Sequence, residues 1–317
     1  MLDIIIPAYN AHDTIVETIA SIVYQKYSFD IHIYIVNDCS DKNYSDIVEF
    51  YKNFVDIKEL TLTTNRGPGY ARQYGIDNSN SDYIIFIDSD DVFSSPNVIQ
   101  FLKEGIVSSD SDLLISDFVE ERDNMFFLKQ DDKIWLHGKI YKRKFIEENN
   151  IRFNDTRVNE DNGFNSLITL CNSKISYIPV KTYIWKNNKN SITRKNNYEY
   201  MFTGIDGYIY NMTWAIEEAI KRNCDVNKIS EFSFSVLLSI YLMYLENIEN
   251  KDCSFMIKNS KAIYDIYKSN KLGKDKEKQL INEYLDFYFL ENDKNIIVDS
   301  IISFSEFLKR VEEEIIW

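Results

Sequence analysis

The first half of the chain alternates short apolar runs with amphipathic stretches. Apolar residues recur at helical spacing from Ile15 to Val23, and Thr14 with Glu17 matches a capping box. We therefore predict a helix from about Thr14 to Lys26. Strands that alternate with helices indicate an open, mostly parallel sheet with helices on both faces. The apolar runs that predict buried strands are 3–6, 31–36, 60–63, 83–87 and 113–116.

The alternation becomes looser after the fifth apolar run. Met125 to Leu128 predicts a strand that crosses one edge of the sheet, and Ile175 to Trp185 has an extended pattern. The patterns of Ile140 to Asn149 and Gly163 to Leu170 predict helices. Together these segments predict an α/β domain over residues 1–195.

The remaining residues, 196–317, have a different character. From about Tyr198 the chain shows long helical patterns rich in Tyr, Phe, Leu and Ile, without a proline. We place the boundary in the polar stretch Asn187 to Asn197 and predict an all-α C-terminal region. Its apolar faces must be buried against the α/β domain, against one another or against a second copy of the chain, so an oligomer through this region stays open.

Charge and composition exclude several classes of protein. The 317 residues include 36 Lys and Arg against 50 Asp and Glu, a net charge of -14, which disfavours nucleic acid as a partner. The four cysteines show no C-x-x-C pairing, and the three histidines show no zinc-binding spacing. The N-terminus does not resemble a signal peptide, and the apolar stretch Phe234 to Leu245 is shorter than the roughly 20 residues of a membrane helix. We expect a cytoplasmic protein without a transmembrane segment, and docking on the inner face of the membrane stays open.

An acidic segment, Asp88-Ser89-Asp90-Asp91, directly follows the predicted strand 83–87. A solvated acidic turn is the ordinary interpretation of such a segment at a surface. Carboxylates at the end of a central strand repel one another unless a cation compensates them, and hard oxygen ligands suit Mg²⁺ or Mn²⁺. We therefore expect a divalent metal here.

Two further segments also lie where an open α/β sheet binds its ligands, at the carboxyl ends of strands. Asp38 follows the strand 31–36, although taken by itself it is better explained as an ordinary helix N-cap or Asx-turn residue. Asn65 to Arg72 joins a strand to a helix, so backbone N–H groups and a guanidinium can face the same crevice. This segment matches neither G-x-G-x-x-G nor a phosphate-binding loop, which disfavours a dinucleotide oxidoreductase and a P-loop enzyme.

Glu160 and Asp161 precede a predicted helix, far along the chain from the acidic segment. A carboxylate favoured by the helix dipole is the ordinary interpretation of such a pair. Group transfer to a hydroxyl, however, needs one carboxylate cluster for a metal and a separate carboxylate to accept the proton. The combination favours a catalytic pair.

Several motifs, in this order, resemble the inverting nucleotide-sugar glycosyltransferases of family 2, which have the Rossmann-like GT-A fold. The resemblance runs from about Leu2 to Arg194 and leaves the C-terminal region unmatched. It implies nucleotide-sugar binding within residues 1–95 and an acceptor and base region within 130–195. The motifs are the opening strand and loop 4–10, V-N-D-C-S-D at 36–41, N-x-G-x-x-x-A-R-x-x-G from Asn65 to Gly75, D-S-D at 88–90 and E-D at 160–161.

The resemblance implies a role for individual residues at the nucleotide. Pro7 and Tyr9 would lie against the base, and Asp38 would accept the uracil N3–H. Asn65 and Arg72 would lie beside the base and ribose. The sequence departs from the family pattern at Asn37, Cys39 and Gln73, where the family has Asp, Gly and Asn. A cysteine at position 39 is strained if the turn requires a positive φ.

The resemblance also implies the residues at the diphosphate and the base. Asp88 would contact the ribose or the metal, Ser89 would belong to the donor site, and Asp90 would bind the metal that bridges the diphosphate. Asp161 would be the catalytic base, with Glu160 as the alternative. A segment that closes over the diphosphate would include Lys186 and Ser191.

The sequence therefore predicts a Mn²⁺- or Mg²⁺-dependent enzyme that moves a sugar from a UDP-sugar to a hydroxyl of a glycan or other acceptor, with inversion. The resemblance to the family also implies that the product belongs to a bacterial surface glycan. One alternative is a haloacid-dehalogenase-like phosphatase, because Asp88 to Val92 also fits a D-x-D-x-[TV] nucleophile pattern. Another is a degenerate transferase domain that only binds a carbohydrate or a partner.

Overall fold

The computed structural model describes residues 1–188, 198–247, 253–291 and 303–314. These residues form two compact units. The first lies within Met1–Thr169 and Ser173–Asn196, and the second within Leu170–Asn172 and Asn197–Trp317.

The first unit is built on a nine-stranded sheet with the order β3-β2-β1-β4-β8-β6-β9-β5, and β7 pairs with β6 beside this path. β1 to β4 pair in parallel, β8 is antiparallel to both of its neighbours, and β9 is parallel to β6. The mixed, mostly parallel sheet predicted from the sequence is confirmed. The strands are β1 (Leu2–Ala8), β2 (Ile31–Asn37), β3 (Asp56–Thr61), β4 (Tyr83–Phe86), β5 (Val92–Phe93), β6 (Leu113–Arg122), β7 (Met125–Lys129), β8 (Lys139–Lys142) and β9 (Ile175–Trp185).

Helices flank this sheet and connect its strands. Their apolar faces are buried against the strands, as Ile19 of α1 and Leu102 of α4 show. The helices are α1 (Ile15–Val23), α2 (Ser45–Tyr51), α3 (Pro68–Asp77), α4 (Val98–Ser109), α5 (Arg143–Glu148) and α6 (Glu160–Leu170).

Two local predictions are wrong. The Thr14 side chain does not cap α1, since its hydroxyl instead donates to the Ala11 carbonyl at 3.2 Å. The segment predicted as a helix from Ile140 begins as the strand β8, and only Arg143–Glu148 is helical. β8 is inserted between β4 and β6, so its backbone is paired on both sides and sheet pairing overrides the helical pattern.

A buried ion pair connects the first strand to α5. The Asp3 carboxylate accepts hydrogen bonds from the Ser81 N–H at 2.7 Å and from the Arg143 guanidinium at 2.9 Å. Burial raises the pKa of Asp3, but the hydrogen bonds from Ser81 and His32 and the charge of Arg143 outweigh it, so the pKa lies below its ordinary value. The ion pair therefore connects β1 to α5 at the side of the sheet where the parallel strands begin, opposite their carboxyl ends.

The second unit is helical. α8 is its central helix and packs against α7, α10, α11 and α12, with Phe234, Leu237 and Tyr241 buried. The all-α character predicted for this region is confirmed. The helices are α7 (Tyr198–Lys221), α8 (Val226–Asn247), α9 (Ser254–Asn259), α10 (Lys261–Ser269), α11 (Lys274–Glu291) and α12 (Phe304–Glu313).

The length of α8 corrects the sequence argument about membrane spans. Among the described residues, this one helix is long and apolar enough to cross a bilayer by length and composition. Most of its apolar window is buried inside the protein, as in the core helix of a soluble protein, so the helix is weak evidence for a membrane span.

Candidate active site

The predicted nucleotide residues lie at the carboxyl ends of β1, β2 and β4. Pro7 is buried near the end of β1, and Tyr9, just beyond it, is 54% exposed. Asp38 follows β2, and the acidic segment follows β4. Because these strands are parallel neighbours, their ends meet at one edge of the sheet, where open α/β sheets bind ligands.

Asp38 organises the loop before α3. Its carboxylate accepts hydrogen bonds from the backbone N–H groups of Arg66 at 2.8 Å and Gly67 at 2.7 Å. The Asn65 side chain donates to the Asp38 carbonyl at 3.2 Å and accepts from Arg157 at 2.8 Å. Burial raises the pKa of Asp38, and the hydrogen bonds from Arg66 and Gly67 oppose this only in part. The loop is therefore held in shape by its own polar groups.

The residue after Asp38 has a left-handed backbone conformation, at the position where the family pattern has glycine. Cys39 has a φ of 62°, a conformation that glycine adopts without cost. The turn therefore keeps a positive φ with a cysteine in place of glycine. Asn37 stabilises the same turn, because its side chain donates to Glu59 at 2.7 Å and accepts from the Ser40 N–H at 2.8 Å.

Arg72 on α3 connects the acidic segment to the E-D pair. Its guanidinium donates to Asp88 at 2.6 Å and to Glu160 at 2.7 Å, and its side chain is 6% exposed. Burial raises the pKa of Asp88, but the charge of Arg72 outweighs it and, with the nearby His137 ring, holds the pKa well below its ordinary value. Asp88 is therefore ionised at neutral pH.

Gly69 brings α3 close enough to α6 for the Arg72 contact with Glu160. A Cβ at position 69 would lie 2.7 Å from the Glu160 Cγ and 3.3 Å from the Asn154 carbonyl oxygen. A larger residue would force Glu160 to move. Gly69 lies two residues after Gly67 in the N-x-G-x-x-x-A-R segment. The absence of a side chain at Gly69 therefore allows α3 to pack closely against Glu160.

The acidic segment is held by the end of β9. The Tyr183 hydroxyl donates to Asp91 at 2.6 Å and accepts from the Asp88 N–H at 3.2 Å, and the Lys186 N–H donates to Asp91 at 2.8 Å. Asp90 accepts from the Asn188 side chain at 2.7 Å. Burial and then the neighbouring carboxylates raise the pKa values of Asp90 and Asp91. Such an excess of negative charge favours the binding of a cation.

His137 completes a group that can hold a metal ion. Among the described residues, one group of His, Cys, Asp or Glu has ligand atoms within 4.8 Å of one another, and it is Asp88, Asp91 and His137. The Nε2 atom of His137 lies 3.8 Å from an Asp88 oxygen and 4.0 Å from an Asp91 oxygen. Donors on one Mg²⁺ or Mn²⁺ ion, each about 2 Å from it, are separated by similar distances. Carboxylates with one imidazole therefore fit a divalent ion here.

Asp161 is the second residue of α6 and is half-buried. Burial and the neighbouring Glu160 charge raise its pKa to about 7, and the Arg72 charge opposes this only in part. A carboxylate with a pKa near neutrality is suited to accept a proton during the reaction. The raised pKa therefore suits Asp161 to act as a general base, whereas Glu160 forms an ion pair with Arg72.

The structure describes two of the three remaining predicted residues, Ser89 and Lys186. Ser89 is half-buried beside Asp88, and the Lys186 ammonium pairs with Glu17 at 2.6 Å. Ser191 lies outside the described residues. The roles of all these residues stay predictions. Sequence reasoning did not assign roles to Asp91, His137 and Tyr183, and the position of Asp91 beside the D-S-D motif was the one signal that pointed to it.

Comparison with known proteins gives the family and the fold. The model of "Glycosyl transferase family 2" matches residues 3–162. Solved structures of Staphylococcus aureus TarS 1–349 resemble the chain, one in complex with UDP (TM-score 0.67, 17% identity, 98% of this chain and 90% of that chain) and one with UDP-GlcNAc (TM-score 0.65, 17% identity, 99% and 87%). The predicted GT-A fold is confirmed.

Curated relatives are glycosyltransferases of bacteria. "Glycosyltransferase GlyA" of Streptococcus pneumoniae is 24% identical over 67% of this chain and 34% of its own length. "Poly(ribitol-phosphate) beta-N-acetylglucosaminyltransferase TarS" of S. aureus is 27% identical over 57% of this chain and 35% of its own. The chain thus spans about a third of these two relatives. "Glycosyltransferase GlyG" of S. pneumoniae is 23% identical over 81% of this chain and 95% of its own length.

Proposed function

The chain belongs to glycosyl transferase family 2, and on that premise we propose that it transfers a sugar from a UDP-sugar to a hydroxyl acceptor with inversion of the anomeric centre. The observation that carries the proposal is the arrangement around Arg72. It connects a carboxylate suited to a metal, Asp88, to the helix that begins with Glu160 and Asp161. Arg72 thus holds the proposed donor site and the helix of the proposed base close together, as a displacement between two bound groups requires.

Asp161 is the proposed base. The acceptor oxygen attacks the anomeric carbon, the bond from that carbon to the diphosphate oxygen breaks, and the acceptor proton passes to the Asp161 carboxylate. A pKa of about 7 makes Asp161 a stronger base than an ordinary aspartate while leaving much of it ionised near neutral pH. Arg72 holds Glu160 away from this role and keeps the helix start in place.

A divalent ion is proposed at the acidic segment, with Asp88 and Asp90 as ligands. The residues present fit such an ion, because Asp88 belongs to one group of ligand atoms with Asp91 and His137, and Asp90 lies between the two aspartates along the chain. Burial and then the charge of Asp88 raise the pKa of Asp90, so a positive charge beside it is favourable. When bound, the ion supplies positive charge to the departing diphosphate. This would allow a protein with a net charge of -14 to hold a nucleotide diphosphate.

The base-binding roles of Pro7, Tyr9, Asp38 and Asn65 belong to the same proposal. Tyr9 is exposed beside the Asp38 loop, which offers a ring face to a uracil. Each Asp38 oxygen already accepts one backbone N–H and has capacity for another donor. TarS is named as an N-acetylglucosaminyltransferase and was solved with UDP-GlcNAc, so UDP-GlcNAc is the first donor to test. The printed name of TarS refers to poly(ribitol-phosphate), and for this chain we propose a bacterial surface glycan as the acceptor. The proposed location is the cytoplasm, at the inner face of the membrane.

The family and the fold favour this function over the two alternatives. A phosphatase would use Asp88 as a nucleophile, but that carboxylate is bound to Arg72 at 2.6 Å. A degenerate, purely binding domain would have lost the D-S-D or E-D carboxylates, and both are present.

A screen of UDP-sugars tests the proposal. The purified chain is incubated with UDP-GlcNAc and other UDP-sugars, with Mn²⁺ or with a chelator, and UDP and inorganic phosphate are both measured. We expect slow, Mn²⁺-dependent release of UDP from at least one donor, with water as the acceptor. Release of inorganic phosphate, or the same UDP release with the chelator, would contradict the proposal.

A further inference from the structure

Tyr183 lies on β9, beside the point where the acidic segment leads into β5. β9 pairs with β6 on one side and with β5 on the other, so Tyr183 stands opposite Phe118 and Phe93. β5 begins at Val92, directly after Asp91. The Tyr183 side chain is 1% exposed. Strand neighbours on both sides therefore fix the backbone of Tyr183, and its side chain is buried.

The Tyr183 hydroxyl connects the two ends of the acidic segment. It donates to the Asp91 carboxylate at 2.6 Å and accepts from the Asp88 N–H at 3.2 Å. The Asp91 N–H also donates to the Asp88 carbonyl at 3.1 Å, which closes the turn between them. A buried hydroxyl requires hydrogen-bond partners, whereas a phenylalanine would fill the same space without them. Packing alone therefore does not require the Tyr183 oxygen.

The Asp91 carboxylate depends on hydrogen-bond donors of this kind, since it is itself 1% exposed. Its second oxygen accepts from the Lys186 N–H at 2.8 Å. His137 lies 4.0 Å from the carboxylate, and an imidazole is charged only when it is protonated. Burying a carboxylate costs free energy unless other groups replace the water that it loses. The Tyr183 hydroxyl is one of the groups that hold Asp91 in place.

The face of the Tyr183 ring holds His137. The two rings stack with their centroids 4.5 Å apart and an angle of 17° between their planes. The His137 Nε2 atom lies 3.8 Å from Asp88, which is longer than a hydrogen bond, and Nδ1 has no hydrogen-bond partner among the residues that the structure describes. An imidazole that binds a metal is usually oriented by a partner of its other nitrogen. Here ring packing orients the imidazole instead.

From this geometry we propose that Tyr183 is a positioning residue for the divalent ion. Its hydroxyl holds Asp91 and the backbone of Asp88, and its ring holds His137, so one side chain arranges all three members of the candidate metal group. The inference rests on the proposed function and adds a residue that acts on the ion only through other residues. Loss of such a supporting group typically lowers metal affinity by about 10- to 100-fold.

Tyr183→Phe tests the proposal, because it removes the hydroxyl and keeps the ring. The matched control is Tyr267→Phe in the second unit, since Tyr267 is also 1% exposed and also donates to a carboxylate, that of Glu277. Mn²⁺ affinity is measured from the electron paramagnetic resonance signal of free Mn²⁺, with and without UDP. Release of UDP from the UDP-sugar that wild type hydrolyses best is measured against Mn²⁺ concentration. Thermal unfolding with chelator reports whether each variant is folded.

We expect the Mn²⁺ affinity of Tyr183→Phe to fall by about tenfold or more, and that of Tyr267→Phe to stay at the wild-type value. The rate of UDP release by Tyr183→Phe should return to the wild-type rate at saturating Mn²⁺, because the hydroxyl acts on the binding of the ion and not on the chemical step. Excess metal would not restore a rate that had fallen through damaged packing.

The proposal is overturned if folded Tyr183→Phe binds Mn²⁺ like wild type, or if Tyr267→Phe loses as much affinity. It is also overturned if Tyr183→Phe does not fold, or if saturating Mn²⁺ leaves its rate low, since the residue would then serve the fold. Failure of the proposed function looks different, because wild type itself would then release no UDP from any UDP-sugar. The Mn²⁺ affinities of the three proteins are compared in either case.

Discussion

The carboxylate of Glu160 accepts a hydrogen bond of 2.7 Å from the guanidinium of Arg72. In the proposed mechanism this contact separates the roles of two adjacent acidic residues. Glu160 is bound to a buried cation, whereas Asp161 is left with a pKa of about 7 and can exchange a proton near neutral pH. The ion pair with Arg72 therefore distinguishes Glu160 from Asp161 although the two are neighbours along the chain.

Gly69→Ala tests the dependence of the site on this contact. The new Cβ would lie 2.7 Å from the Glu160 Cγ, so Glu160 must move and its bond to Arg72 must lengthen. We expect sugar transfer to fall by about 10²-fold, the effect of a displacement of about 1 Å at a catalytic centre. The measurement is the initial rate of UDP release. The matched control is Gly204→Ala, where an added Cβ meets nothing within 4 Å; an equal loss in both variants would contradict the packing argument.

Asp161→Asn should stabilise the metal-free protein above neutral pH. The folded pKa of about 7 exceeds the ordinary value of 3.8, so the folded state holds a proton that the unfolded state has released. Stability from this group is therefore complete below about pH 4 and is lost as pH rises through about 7. Since asparagine does not ionise, the gain in Tm should be larger at about pH 8 than at about pH 5, with chelator present. A gain that is the same at both pH values would show that the pKa of Asp161 is not raised.

Asp90→Asn tests the proposed metal ligand. Losing one of two carboxylate ligands should lower UDP affinity in the presence of Mn²⁺ by about tenfold or more, and chelator should abolish the difference from wild type. Calorimetry of UDP binding gives both values. The control is Asp123→Asn, an exposed turn residue with a φ of 52° that asparagine tolerates. Wild-type metal dependence in Asp90→Asn together with its loss in His137→Gln would instead assign the ion to Asp88, Asp91 and His137.

Arg143→Met should destabilise the fold without altering the active site. The substitution leaves the fully buried Asp3 carboxylate without its cation, which costs about 3 to 5 kcal/mol when one partner of a buried pair is removed. Urea unfolding measures the loss. Its neighbour Lys144 is 73% exposed, so Lys144→Met should change stability by less than about 1 kcal/mol. Equal effects would mean that the Asp3 pair contributes no more than a surface charge.

Much of the fold could be predicted from the sequence, because the parallel strands are buried on both faces and appear as continuous apolar runs. Ile4 to Ile6 and Ile84 to Phe86 are of this kind. β8 escaped prediction, since its four residues merge into a helical pattern and only pairing with β4 and β6 makes them a strand. In α8 the apolar stretch Phe234 to Leu245 is shorter than the helix itself, because polar residues such as Ser230 and Ser233 precede it and are buried all the same.

Part of the candidate site could likewise be predicted from the sequence, and part could not. Motifs pointed to Asp88, Asp90 and Asp161, because each follows a strand or starts a helix and its chemistry is local. His137 reaches the acidic segment from the turn before β8, and Tyr183 reaches it from β9. Both are neighbours of the segment in space but not in sequence. Position along the chain carries no information about such contacts. The role of Arg72 as a bridge between Asp88 and Glu160 likewise depends on the packing of α3 against α6.

The most direct test of the account compares Asp161→Asn with Glu160→Gln in one assay. Transfer from the best UDP-sugar is measured across pH, and UDP affinity is measured in parallel. We expect Asp161→Asn to lose about 10² to 10⁴ in transfer rate at unchanged UDP affinity and to lose the rise in rate with pH. Glu160→Gln should keep that rise but move it to lower pH, because the Glu160 charge no longer raises the pKa of Asp161. Transfer at the wild-type rate by Asp161→Asn would contradict the account and remove Asp161 as the base.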